Sequence, residues 1–266
     1  MDDPAESHLV KLTGPQWLAA GLVLALLSFG LPRFWDAREP LEWKPETRLP
    51  YGLSEDYGLF ERACRRAASG KKTVFLGDSV VWGQYVQAGQ ALAQDLNGLQ
   101  GSGQNVNLGL DGAHPAALAG LVDHEGASLR GLKILLHLNP LWLSSAQRDL
   151  SAREPQSFNH ARLVPQFWSR IPCYKELLST RIGIAVDRHQ ALSSWVRHVQ
   201  LACYENMDVP AWTLEHPYED PLARLRPLKS LEDPEPRPEQ TDGASWKERG
   251  IQPQDFPWMD LEASLQ

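Results

Sequence analysis

Cysteine is scarce in this chain, with three in 266 residues: Cys64, Cys173 and Cys203. They are spaced too widely for the usual paired zinc ligands and are too few for a disulfide framework. They read as small core residues, with a Cys173–Cys203 bridge as the alternative. A basic excess is missing too. Lys and Arg total 26 against 33 Asp and Glu, a net charge of −7, so no positive field gathers a polyanion and nucleic acid is not the expected partner. There is no internal repeat, which removes solenoids and propellers. The hydrophobic share, 42%, is ordinary for a globular core, and the length suits one domain with appendages.

Only one long apolar run exists. From Leu12 to Pro32 there is no charged residue, with Lys11 before the run and Arg33 after it. Crossing the hydrocarbon of a bilayer takes about 20 residues, with a lower limit near 17. We therefore expect a tail over 1–14, a single transmembrane anchor over 15–32, and Trp17 and Trp35 at the two interfaces. A cleaved signal peptide and a buried helix are the rival readings. The acidic leader 1–7 and the lack of a small-x-small site after the run speak against the first. Lys11 on one side and Arg33 and Arg38 on the other leave the orientation open. Residues 33–53 read as a juxtamembrane connector and 54–228 as an α/β domain. Residues 229–266 read as linker and tail, because the Pro- and Glu-rich stretch 228–254 cannot bury enough apolar surface to order itself.

Inside 54–228 the periodicity alternates. Ser54 predicts the cap of a helix over 55–68, with Leu59, Phe60, Ala63 and Ala67 on one face and Gly70 as its stop. Residues 73–76 predict a strand, 87–99 a helix, and 105–110 a second strand. His114-Pro115 opens a helix to about His124, and 133–138 predict a third strand. This order predicts an α/β fold, a doubly wound and mainly parallel sheet with flanking helices. Beyond Asn139 the pattern loosens. Residues 144–153 read as a helix, 157–173 as a long loop or lid, and 182–206 as one long helix whose apolar stripe is for packing. Trp142, Trp168, Trp195 and Trp212 are either pocket lining or core anchors, the second being commoner for tryptophan.

The chemistry-bearing residues stand at the strand ends. The first strand runs into Gly77-Asp78-Ser79-Val80-Val81-Trp82-Gly83, which places a serine hydroxyl at the mouth of a parallel sheet, where ligands of open α/β sheets gather. The second is followed by Asn107-x-Gly109-x-x-Gly112, and the third by Asn139-Pro140, where the proline stops ladder and helix alike. The N–H groups of Ser79 and Gly112 and the carboxamide of Asn139 would together form an oxyanion hole.

These residues resemble three of the four motif blocks of the SGNH (GDSL-type) hydrolase family over about residues 72–142. Ser79 matches the nucleophile, Gly112 the glycine of the second block and Asn139 the asparagine of the third, although Leu138 stands where a glycine is usual. The resemblance implies an SGNH- or flavodoxin-like three-layer fold. It also implies an esterase or acyltransferase acting through an acyl-enzyme on O-acyl groups of envelope glycans or on small esters, with no metal or other cofactor. For location, it favours a single-pass membrane protein with its domain outside the cytoplasm.

The fourth block of that family, Asp-x-x-His, is absent after Asn139. Its histidine is the general base, and a serine hydroxyl is a poor nucleophile without one. Two histidines are candidate replacements: His114, in Asp111-Gly112-Ala113-His114, and His216, beside Glu215. His137 reads as a core residue within the third strand, and His160, His189 and His198 as solvated. With a Pro-rich linker where further strands are due, the sheet is expected to be incomplete at its C-terminal side and the chain to be a shortened member. The competing reading is a non-catalytic, membrane-anchored binding protein that keeps the fold.

Overall fold

The computed structural model of the chain describes residues 12–44, 47–84, 86–139, 159–164 and 176–231. Its sheet has three parallel strands, β1 (Thr73–Leu76), β2 (Asn105–Asn107) and β3 (Lys133–Leu136), in the order β2-β1-β3. Thr73 pairs with Asn105 on one side and with Lys133 on the other. Parallel neighbours require crossovers. α3 (Ser79–Trp82) and α4 (Leu92–Gln100) lie between β1 and β2, and α5 (Pro115–Leu129) lies between β2 and β3.

Side chains alternate across β1, so its two faces bury different partners. Val74 and Leu76 pack with Leu59, Phe60 and Ala63 of α2 (Tyr57–Ser69) and with Ala117 and Leu121 of α5. Phe75 faces the other way, onto Val81 of α3 and Ala93 of α4. The chain is thus mixed α/β, with its core around the central strand. β3 differs from β1. A parallel strand is normally covered on both faces, yet Ile134, Leu135 and Leu136 are 44%, 44% and 49% exposed. Among the described residues no strand pairs with its outer edge.

Several element boundaries differ from expectation, each for a local reason. Ser54 closes a 3₁₀ turn over Tyr51–Leu53, and it is Asp56 that caps α2 by accepting from Leu59 N at 2.9 Å. The helix expected over 87–99 is a 3₁₀ turn, Ala88–Gln90, followed by α4, which ends at a left-handed Gly101. α5 continues past His124 to Leu129. The long helix expected over 182–206 is two helices, α6 (Leu178–His189) and α7 (Ala191–Cys203), because Gln190 is extended at φ −110°, ψ 113°. α8 (Val209–Glu215) and α9 (Pro221–Arg224) follow. The expected helix over 144–153, Cys173, Trp142, Trp168, residues 232–266 and most of the expected loop over 157–173 lie outside the described residues. Cys64 and Cys203 are buried free thiols, so Cys203 forms no bridge. Trp212 is fully buried, a core anchor rather than pocket lining.

The N-terminal helix α1 (Gly14–Arg38) is long and apolar enough to span a membrane. It passes through Pro32 and ends six residues beyond the expected stop, so the connector begins at Glu39. Trp17, Leu18, Leu22, Leu26 and Phe29 are all exposed, unlike the side chains of a core helix. Its last turn is docked on the domain instead. Trp35 meets Trp195 of α7 edge-on at 5.9 Å between ring centroids. The buried Glu39 carboxylate accepts from Arg62 at 2.7 Å and Leu228 N at 2.8 Å, and lies 3.0 Å from Nε2 of His198. Nδ1 of His198 is 2.6 Å from Asp56. His198, expected in solvent, is therefore buried between two carboxylates. Burial alone would lower its pKa, but Asp56 and Glu39 raise it to about 9. Burial likewise opposes ionisation of Glu39, yet hydrogen bonds from His198, Leu228 and Arg62 bring it down to about 2.

Candidate active site

The parallel ladder runs past the strands and levels their ends. Leu110 N donates to Gly77 O at 3.0 Å and His137 N to Leu76 O at 2.9 Å. Ser79, Gly112 and Asn139 each stand two residues beyond Gly77, Leu110 and His137. All three therefore follow the carboxyl ends of neighbouring strands, the rim where α/β sheets bind ligands.

Asp78 organises the turn that carries the serine. It is extended at the cap of α3, where Oδ1 accepts from Val80 N at 3.1 Å and Oδ2 accepts from Asn139 Nδ2 at 2.6 Å. The end of β1 is thus tied to the end of β3 through a buried carboxylate. Ser79 opens α3, where backbone N–H groups have no helical partner, and its side chain is partly exposed.

Close backbone approaches explain the glycines around it. A Cβ at Gly77 would stand 2.5 Å from Val81 Cγ2 and 2.9 Å from His137 Cβ, and one at Gly109 would stand 2.5 Å from Trp82 N. Asn107 completes the contact: its Nδ2 donates to Val81 O at 2.8 Å, and its Oδ1 accepts from Gly109 N at 2.9 Å. The Asn-x-Gly pattern is therefore a brace that lets the end of β2 lie against α3. Arg48 holds the far end, donating to Trp82 O at 2.6 Å and Gly83 O at 2.5 Å with its guanidinium over the Trp82 ring.

Gly112 is left-handed, φ +68°, and a Cβ there would stand 2.5 Å from Asn159 Nδ2. A second carboxamide, Asn159, thus lies beside the glycine. The next residue, His160, is buried, its ring between Tyr57 Oη at 3.1 Å and Asp111 O at 2.9 Å; it is not the solvated histidine expected. Leu163 then presses on α5, where a Cβ at Gly120 would stand 1.6 Å from its carbonyl oxygen. No motif marks Asn159 or His160. Only the packing of a distant segment reveals them.

The candidate bases differ in their contacts among the described residues. His114 caps α5, its buried Nδ1 accepting from Ala116 N at 3.2 Å. His216 stacks on Trp212 at 4.5 Å with an interplanar angle of 13°, in the part of the protein where Trp212 packs with Trp35. Neither contact reaches Asp78 or Ser79. His137 does reach that turn. Its Nδ1 is 3.5 Å from Asp78 Oδ1, a charge-pairing distance without a hydrogen bond, and its side chain is 28% exposed. It lies just beyond β3, half-buried at the rim rather than inside a strand. Among the described residues no group of three or more His, Cys, Asp or Glu is placed to hold a metal ion.

Comparisons with family profiles, with characterised proteins and with solved structures found no match to this chain.

Proposed function

We propose that this chain is a membrane-anchored serine esterase or O-acyltransferase of the SGNH type, with a three-layer fold of that kind around Ser79 and α1 as its single-pass anchor. The observation that carries the reading is the Asp78–Asn139 bond at 2.6 Å, which joins the serine's turn to the end of the neighbouring strand. Ser79 Oγ attacks the ester carbonyl. The N–H groups of Ser79 and Gly112 and the amide of Asn139 receive the oxyanion. His137, whose Nδ1 lies 3.5 Å from Asp78 Oδ1, takes the serine proton and returns it to the departing alkoxide. A water or a sugar hydroxyl then attacks the acyl-enzyme and releases Ser79. O-acyl groups of envelope glycans suit this route as substrates.

The second reading is a binding protein without turnover. It is favoured by the lack of any hydrogen bond between Ser79 and a histidine among the described residues, since an unassisted hydroxyl is a poor nucleophile. Hydrolysis of a short-chain aryl ester separates the two. The esterase reading expects turnover by the full chain in detergent that vanishes in Ser79→Ala and falls at least about a hundredfold in His137→Gln. Equal rates for wild type and Ser79→Ala reject it.

A further inference from the structure

Where α1 meets the domain, a groove of about 350 Å³ opens between its last turns, α2 and the junction of α6 with α7. Arg33, Arg62, Arg65, Arg188 and His189 line it, against Asp36 and Glu61. The basic excess stands out in a chain whose net charge is −7. Arg62 pairs with the buried Glu39 at 2.7 Å and with Asp36 at 3.5 Å, and Arg188 donates to Leu163 O at 2.6 Å, which leaves Arg33 and Arg65 to receive an anion. Arg33 donates to Phe29 O at 3.0 Å and forms no ion pair among the described residues. Arg65 meets Glu61 in an exposed pair, 54% and 42% accessible, the weak kind that yields readily to a stronger anion.

The height of the groove selects its ligand. From Gly14 to Pro32 the helix rises about 28 Å, close to the thickness of bilayer hydrocarbon. Arg33 and the groove then lie at the level of lipid phosphates, where basic side chains gain most from an anionic surface. We propose that this groove binds the phosphate of an anionic membrane lipid, a site that fixes the domain's posture against the bilayer. The proposal rests on α1 being a membrane anchor.

The test uses the full chain, solubilised in mild detergent with equal amounts of phosphatidylglycerol and phosphatidylcholine, and native mass spectrometry of the lipid it retains. Wild type is expected to enrich phosphatidylglycerol, with about a fivefold loss for each arginine removed in Arg33→Gln and Arg65→Gln. Arg224→Gln, on α9 and outside the groove's lining, is expected to leave the ratio unchanged. Equal retention of the two lipids, or an unaltered ratio in the double variant, overturns the site. So does displacement by inorganic phosphate at the concentration of the lipid, which makes the groove a free-anion site. A chain that leaves washed membranes without detergent overturns the anchor together with the groove, whereas a chain that stays but shows no lipid preference overturns the groove alone.

Discussion

The brace between Gly109 and α3 makes a prediction whose sign and size follow from the geometry. In Gly109→Ala the new methyl would stand 2.5 Å from Trp82 N and 2.9 Å from Trp82 Cα and Val81 C. Carbon atoms prefer about 3.5–4.0 Å, so α3 must retreat by about 1 Å. The obstructing atoms are backbone, with no side chain to swing aside, which puts the cost at the upper end of overpacking, about 3 kcal/mol. A shift of that size also moves Ser79 away from the rim, and about 1 Å of misplacement costs on the order of a hundredfold in rate. Gly98→Ala is the matched control. Gly98 lies in α4 with no atom within 4 Å of its Cβ position, so that change is expected to stabilise by about 0.5–1 kcal/mol. Urea unfolding of the full chain in detergent, followed by tryptophan fluorescence, measures both. If Gly109→Ala lies within about 0.5 kcal/mol of wild type, or shifts in the same direction as Gly98→Ala, the brace does not exist as described.

Glu39→Gln removes the shared partner of Arg62 and His198, which keep only Asp36 at 3.5 Å and Asp56 at 2.6 Å, and is expected to cost about 3 kcal/mol. The same network sets a pH dependence. The share due to His198 is complete below about 6.5 and is lost as pH rises through about 9. The share due to Glu39 is complete above about 4.5 and is lost as pH falls towards 2. Thermal midpoints should therefore decline between pH 6.5 and 9 in wild type and less steeply in Glu39→Gln, where Asp56, the stronger of the two partners, still holds His198; a steeper decline in the variant would contradict the assignment. Asn139→Ala leaves the buried Asp78 carboxylate without its 2.6 Å donor and should cost about 1–3 kcal/mol, with Asn139→Asp worse because it sets two carboxylates together. Burial pushes the Cys64 thiol well above its usual pKa, so iodoacetamide should modify it only after unfolding. Rapid modification of the native protein would show that α2 is not seated as described.

Much of this organisation was legible in advance because it is local. The short apolar runs at 73–76 and 133–138, bounded by turn residues, mark parallel strands, the second two residues shorter in the fold, and Gly77, Gly109 and Gly112 mark strand ends where only glycine fits. The break at Gln190 was hidden because α6 and α7 carry the same apolar periodicity on either side of an ordinary residue. The burial of His198 leaves no local trace, because it depends on Asp56 and Glu39, far away in sequence and brought together only when α1 docks on α7. Asn159 and His160 escaped for the same reason: their neighbours Gly112, Asp111 and Tyr57 belong to other elements. His137 sat in plain view two residues before Asn139. Only the path of the strand shows that its ring emerges beside Asp78 instead of turning into the core.

The nucleophilic role of Ser79 is open to one direct measurement. The purified chain is treated with a fluorophosphonate and its intact mass is followed beside that of Ser79→Ala. A single stoichiometric adduct on wild type, lost in the alanine variant and slowed in His137→Gln, is the predicted result. An unmodified wild-type mass under conditions that label a known serine hydrolase to completion would contradict it.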